Sequence, residues 1–285
     1  MDLGTVGVWW SFSWKPAGAS SGAAGELEEL GYGAMWSSGG FDPGLSPRFE
    51  HLLSSTRRAV VASGIVTIWT ATPEQLGSAT AELEASYPGR FLLGLGTSHA
   101  PIVEEYVHPY RRMVEFLDAL DALDDLDAPV HRDRRVLAAL GPRMLELAAA
   151  RALGAHPYFV PVEHTERARQ IMGAGPLLAP EVTAIVEPDP KKAREQARAF
   201  TAGYLELPNY ANNLRSLGFA DDDLRAGGSD RLVDSVVAHG DVDAVVARIR
   251  EHHQAGADHV AVQLVTTESG LPLDDYRSLA SALLT

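Results

Sequence analysis

Cysteine is absent from the 285-residue chain, which excludes a disulfide framework and a thiolate metal cage alike. Positive charge is scarce: 24 Lys and Arg stand against 38 Asp and Glu, a formal net charge of −14. A surface of that sign keeps a protein dissolved and works against nucleic acid, whose phosphates demand dense Lys and Arg, so no nucleic-acid partner is expected. It leaves room for an anionic ligand in a local pocket. Long hydrophobic runs are missing too. None reaches the roughly 18 residues of a spanning helix, so no membrane partner is expected. Neither an HExxH pair nor a GxxxxGK phosphate loop occurs. His252 and His253 are neighbours in sequence and so do not stack on a helix, and the acid run Asp121, Asp124, Asp125 and Asp127 reads as solvated surface. No metal is expected. The opening MDLGTVGVWW carries Asp2 and no basic region, so it reads as a first strand and not as a signal peptide. The default expectation is a cytoplasmic protein.

Against these absences, 46% of the residues are hydrophobic, enough for a large core. They fall into short apolar runs that alternate with longer amphipathic ones. Strands are expected at 6–10, 33–36, 58–66, 91–95, 135–140, 157–160, 181–186 and 259–264. Helices are expected between them, at 23–30, from Thr72 to before Pro88, at 104–126, from Pro142, at 163–172, over most of 190–237, at 242–254 and from Leu273. Thr72-Pro73-Glu74 is a strong helix start, with threonine as N-cap and proline at the first helical position. Eight strands alternating with helices point to an α/β fold of the (β/α)8 TIM-barrel type, one domain over 1–285, with insertions at the C-terminal mouth. A doubly wound open sheet is the alternative. It would want a GxGxxG after the first strand, where SFSWKPAG stands instead.

In a barrel the chemistry sits at the C-terminal ends of the strands. There the chain offers Gly94-Leu95-Gly96-Thr97-Ser98-His99. Either this is a tight turn with a capping hydroxyl and a solvent-facing histidine, or a flat aromatic cofactor lies close to the backbone. Gly64 and Thr67 end the third strand. Gly39-Gly40-Phe41 follow the second, as a plain turn or as space for substrate. Trp9, Trp10, Phe12 and Trp14 crowd the end of the first strand in a chain with only 7% aromatics, as core, lid or a wall for a planar ligand. Gly141-Pro142-Arg143 either starts a helix in the ordinary way or turns free N–H groups toward an anion.

Several stretches together resemble the bacterial luciferase-like superfamily, and within it the branch that uses the deazaflavin F420. They are ELEELGYGAMW, TPEQLGSATAELEASYPGRFLLGLGTSHAP, ALGPRMLELAAARALGAHPYFVPVEHTERAR, YLELPNYANNLRSLGF and GADHVAVQ. The resemblance implies a β/α barrel, a homodimer, and F420 or alternatively FMN as cofactor. It places a non-prolyl cis peptide at Gly64–Ile65 or next to it, against the cofactor rings. Thr67 and Thr97 would line the ring site, with Gly96 between strand and turn. Gly141, Pro142 and Arg143 would hold the phosphate, with Arg167 a further candidate for the anionic tail. His99 stands where a related dehydrogenase has an acidic residue and becomes the catalytic candidate. Gly39 and Gly40 stand where that relative has an Asp-His pair, so its usual catalytic histidine is missing here. Substrate, a small organic molecule, would lie near Trp9, Trp14, Gly39, Gly40 and Phe41. The leading expectation is F420-dependent hydride transfer. An FMN-dependent monooxygenase and a cofactor-binding protein without turnover are the alternatives.

Overall fold

In the computed structural model, residues 1–11, 17–39, 45–123, 129–267 and 270–284 are described. The strands are β1 (Val6–Trp9), β2 (Ala34–Ser37), β3 (Val60–Ser63), β4 (Val66–Thr67), β5 (Phe91–Gly96), β6 (Arg135–Leu137), β7 (Gly154–Ala155), β8 (Leu177–Leu178), β9 (Glu181–Val186), β10 (Ala238–Gly240) and β11 (Val260–Leu264). Every pairing is parallel, β1 meets both β2 and β11, and the ladder continues through β3, β5, β6 and β7 to β8. β9 pairs with β11. Because β8 and β9 belong to one short segment, residues 177–186 join the two ends of the ladder and bring the sheet round on itself. This is the expected TIM-barrel-like fold, distorted at that join, where β10 pairs with the far half of β9.

Alternation along the strands builds two cores. Val8, Met35, Val61, Leu93 and Val262 face outward onto the helices. Trp9, Ala34, Trp36, Val60, Ala62, Val136 and Ala261 pack inside the barrel. Small inward residues make space for two tryptophans, since a barrel interior is filled by side chains. Gly7 is one such place: a Cβ there would lie 2.6 Å from Ala34 O and 2.7 Å from His259 Nε2.

The outer layer consists of α1 (Ala17–Glu29), α2 (Leu45–Ser55), α3 (Pro73–Ser86), α4 (Pro109–Ala122), α5 (Pro142–Arg151), α6 (Val162–Met172), α10 (Val242–Gln254) and α11 (Leu273–Leu283). The long stretch after β9 divides into α7 (Pro190–Leu205), α8 (Pro208–Ser216) and α9 (Asp230–Val236). These pack together through Leu205, Tyr210, Leu214 and Leu232, with Phe159 from the barrel mouth. Pro208 starts a new helix because it cannot continue the previous one. α2 lies in a stretch assigned no element from the sequence.

Two strand expectations need correction. The run 157–160 is not a strand; the sixth stave is β7, at Gly154–Ala155. A Cβ on Gly154 would meet Leu177 O at 1.8 Å, so glycine lets β8 approach here. Pro157 then lacks the N–H to extend the ladder, and Phe159 takes a left-handed φ of 57°. The expected strand 58–66 is interrupted into β3 and β4, with a cis peptide at Gly64–Ile65 between them. α3 starts as expected. Thr72 accepts from the Gln75 N–H at 3.3 Å, and the Gln75 side chain accepts from the Thr72 N–H at 2.9 Å. Thr72→Ala should cost about 1 kcal/mol, read as a lower urea midpoint at unchanged slope. An unchanged midpoint would show that the cap adds nothing.

Candidate active site

The C-terminal strand ends enclose a cavity of about 660 Å³. One wall is built by β3 to β6. Gly64, Ile65 and Thr67 form its floor, Thr97 and His99 its rim, and Gly141-Pro142-Arg143 its outer corner. The other wall comes from Trp9, His156, Tyr158, Tyr204 and Tyr210. Thus Trp9, Gly64, Ile65, Thr67, Thr97, His99, Gly141, Pro142 and Arg143, singled out from the sequence, all line one space.

Gly96 and Gly39 do not line it. A Cβ on Gly96 would fall 2.6 Å from Ile65 Cδ1, and one on Gly39 would fall 2.8 Å from Ile65 O. Both glycines sit behind the floor and let segment 64–67 settle into place. Trp14, Gly40 and Phe41 lie outside the described residues. Arg167 is not among the lining residues and donates to Ser216 Oγ at 3.2 Å.

The rim is tied down. Trp69 Nε1 donates to Thr97 O at 2.7 Å, and Asn209 Nδ2 donates to Ser98 O at 3.1 Å. Ser98 needs a left-handed φ of 55° for this. His99 then lies 4.9 Å from the Tyr210 ring. Burial lowers its pKa from the ordinary 6.5, so the ring is neutral at pH 7. At the outer corner Gly141 is the N-cap of α5 with no side-chain cap, and a Cβ there would meet nothing within 4 Å. The first turn of α5 therefore opens onto space; Pro142 has no N–H and the Met144 N–H donates to Gly141 O at 3.1 Å, so the Arg143 N–H and guanidinium are what it offers an anion. Arg143 lies over the Tyr110 ring at 4.0 Å.

Apart from Trp9, the residues of the inner wall are not among those the sequence singles out. Tyr158 OH donates to Gln263 Oε1 at 2.7 Å and meets Tyr204 OH at 2.8 Å. Burial raises the pKa of Tyr158, Tyr204 and Tyr210, which stay neutral. Glu181 lies buried below them, pushed up to about 7 by that burial and held by Thr183 Oγ1 at 2.6 Å and the Phe159 N–H at 3.1 Å. His156 is fully enclosed, with Nδ1 2.7 Å from Ala179 O.

Four buried polar atoms of the lining residues have no hydrogen-bond partner: Trp9 Nε1, Thr67 Oγ1, His99 Nδ1 and His156 Nε2. Buried polar groups are nearly always paired, so four on one cavity mark a place for a ligand with matching groups. Among the described residues no three His, Asp or Glu side chains are placed to hold a metal. No described helix is long and apolar enough to cross a membrane.

Residues 18–259 match the family described as luciferase-like monooxygenase. The chain belongs to that family. No curated protein matches it in sequence. This luciferase-like protein is similar in structure to an F420-dependent secondary alcohol dehydrogenase in complex with an F420-acetone adduct, at 14% identity and a TM-score of 0.76, with 98% of each chain covered. It is similar to the F420-dependent tetrahydromethanopterin reductase of Methanopyrus kandleri at 16% identity and a TM-score of 0.73, again over 98% of each chain. A type II Baeyer-Villiger monooxygenase of Pseudomonas putida in complex with FMN matches at 15% identity and a TM-score of 0.67, over 97% of this chain and 95% of the other. At such identities the likeness establishes the shared fold.

Proposed function

We propose that this luciferase-like protein is an F420-dependent oxidoreductase acting on a small organic molecule. The observation that carries the reading is the cavity itself: an apolar slot with unpartnered polar atoms along its sides and a helix N-terminus at one corner. A planar ring joined to a phosphate-bearing tail has that distribution of chemistry. Thr67 and Thr97 would meet the ring, Ile65 would back it, and the first turn of α5 with Arg143 would take the phosphate. When bound, the deazaflavin supplies a carbon that accepts or donates a hydride; the protein supplies position and a dry, low-dielectric surrounding. The likeness to two F420-dependent enzymes favours the deazaflavin over FMN. A homodimer in the cytoplasm completes the reading.

Fluorescence titration of the purified protein with F420 and with FMN tests the cofactor. F420 should bind at about micromolar concentration or below, and FMN more weakly. Equal or tighter binding of FMN would contradict the assignment.

His99 is proposed to act on the proton that accompanies hydride transfer. It is neutral at pH 7 because burial lowers its pKa, and its Nδ1 is unpartnered at the cavity. His99→Asn should slow the hydride step about a hundredfold with little change in F420 affinity, as read by stopped-flow absorbance of the deazaflavin. An unchanged rate between pH 6 and 9 would remove His99 from the chemistry.

A further inference from the structure

We propose that Asn209 is a positioning residue: by donating to Ser98 O it holds the turn of backbone that lays the His99 ring against Tyr210. That this placement serves proton transfer rests on the reading of His99 given above; the placement itself stands on the geometry.

No hydrogen bond to a described residue fixes the His99 ring. Its position is set by the backbone that carries it and by the Tyr210 ring, 4.9 Å away at 44°. That backbone turns at Ser98, whose φ of 55° is left-handed. A residue with a Cβ is disfavoured in this conformation, so its partners must hold it there.

Three consecutive carbonyls of the turn are held, each from a different direction. Thr97 O accepts from Trp69 Nε1 at 2.7 Å. His99 O accepts from the Ile102 and Val103 N–H groups at 2.9 and 3.1 Å, within its own loop. Ser98 O, on the left-handed residue, accepts from Asn209 Nδ2 at 3.1 Å. The Tyr106 hydroxyl also approaches Ser98 O, but only to 3.5 Å, beyond the roughly 3.0 Å of an ordinary O–H···O bond. Among the described residues, Asn209 therefore makes the one bond of ordinary length to this carbonyl.

Nothing in α8 itself calls for asparagine at 209. Asparagine is a poor helix former. The N-cap of α8 is Leu207, and no side chain caps this helix. Both bonds of the Asn209 amide leave the helix for the rim, to Ser98 O and to the Tyr106 hydroxyl at 3.4 Å. The next residue, Tyr210, is packed by Phe159 at 5.3 Å and Tyr204 at 5.6 Å, which makes the first turn of α8 a firm support. Two successive residues of that turn thus reach His99: Asn209 through the carbonyl before it, and Tyr210 through its ring.

Removing the amide leaves Ser98 O without its main donor and Ser98 free to return to an ordinary negative φ. That rotates the peptide joining Ser98 to His99 and swings the ring off Tyr210 toward solvent. Tyr210 and Tyr106 are the titratable side chains at this turn. Burial is what lowers the His99 pKa, so exposure raises it.

The test is an NMR titration of the histidine Cε1 protons in the full-length protein, with the His99 signal assigned by His99→Asn. In the wild type His99 should titrate below the ordinary 6.5. Asn209→Ala, which suits the helix better, should move that midpoint up toward 6.5 and leave the signals of the enclosed His164 and His252 in place. Modification of His99 by diethyl pyrocarbonate, read by peptide mass spectrometry, should quicken about fivefold. Ser98→Gly added to Asn209→Ala should bring both readings part of the way back, because glycine takes a positive φ without a Cβ clash. A fault confined to α8 would not respond to it. Any of three results would overturn the proposal: a His99 midpoint and modification rate unchanged in Asn209→Ala, His164 and His252 moving together with His99, or no recovery of either reading with Ser98→Gly. F420 is then added to the wild type, its binding followed by its fluorescence, and should shift the His99 signal. No binding of F420 alongside the predicted titration pattern would reject the cofactor reading and leave the role of Asn209 toward His99 standing.

Discussion

Gly64→Val should abolish deazaflavin binding and leave the barrel folded. A Cβ at this position points between Trp9 Nε1 and His156 Nε2, at 2.5 and 3.2 Å. The first contact is closer than van der Waals separation and involves a large ring already packed against Tyr158. Valine adds two methyl groups beyond that carbon, which press on Trp9 and His156 where these residues border the cavity. The inner end is then plugged, and Trp9 is pushed toward the space the ring needs. Trp9 shares the inner cluster with Ala34, Trp36 and Ala62 but is the last residue of β1, so its displacement leaves the strand pairings below it in place. Affinity for F420 should fall from about micromolar to beyond about millimolar, roughly a thousandfold or more, while circular dichroism and the urea midpoint stay near wild type. F420 binding retained within tenfold would show that the ring does not lie beside Gly64.

Between pH 6.5 and 4 the protein should lose its fold. Four enclosed histidines are responsible. Burial pushes His156, His164 and His259 down to about 4 and His252 to about 3. Burial is the largest cause in each case, and for His164 it outweighs a hydrogen bond to Leu140 O at 2.9 Å that favours the charged ring; His252 Nδ1 is 2.8 Å from Thr165 Oγ1. In the unfolded chain they take up protons near 6.5. Below that pH the unfolded state binds more protons than the folded one, so stability falls as pH falls and keeps falling until the folded values are reached. Glu181 acts in the opposite direction. Its carboxyl is pushed up to about 7 in the fold, so its contribution is full below the ordinary carboxylate value and is lost as pH rises to 7. One carboxyl against four imidazoles leaves a net loss on acidification. The sum is on the order of 10 kcal/mol, comparable with the whole stability of a domain. Far-ultraviolet circular dichroism between pH 8 and 3.5 should show cooperative unfolding with a midpoint above pH 4. His252→Leu, which removes one protonation site between α6 and α10, should move the midpoint to lower pH. A wild-type protein still folded at pH 3.5 would contradict the argument.

The outer wall of the cavity was legible in the sequence because it is local. Gly64 to Thr67, Gly96 to His99 and Gly141 to Arg143 each sit at the end of one apolar run, and strand ends converge in any barrel. Beyond Trp9 the inner wall was not, because its pieces are scattered. His156 and Tyr158 fall in a stretch whose Tyr-Phe-Val pattern imitates a strand, and only the close approach of Leu177 to Gly154 ends the ladder earlier. Tyr204 and Tyr210 sit in a long helical region where a tyrosine has the same signature on a lining face as on a packing face. Proline at 208 is a signal for the break between α7 and α8 that the reading of 190–237 as mostly helical did not use, and it does not tell that the break turns Asn209 and Tyr210 onto the mouth. Gly39 and Gly96 carry a similar lesson. Their need for space was readable, but what fills that space is the Ile65–Val66 segment and not a ligand.

The central claim is that one cavity holds a deazaflavin along its outer wall and leaves its inner end to substrate. A crystal structure of the F420 complex tests it most directly. The account predicts the ring against Gly64 to Thr67 and Thr97, and the phosphate at the first turn of α5 beside Arg143. A ring bound away from Gly64 to Thr67, or a phosphate bound away from Gly141, would contradict it.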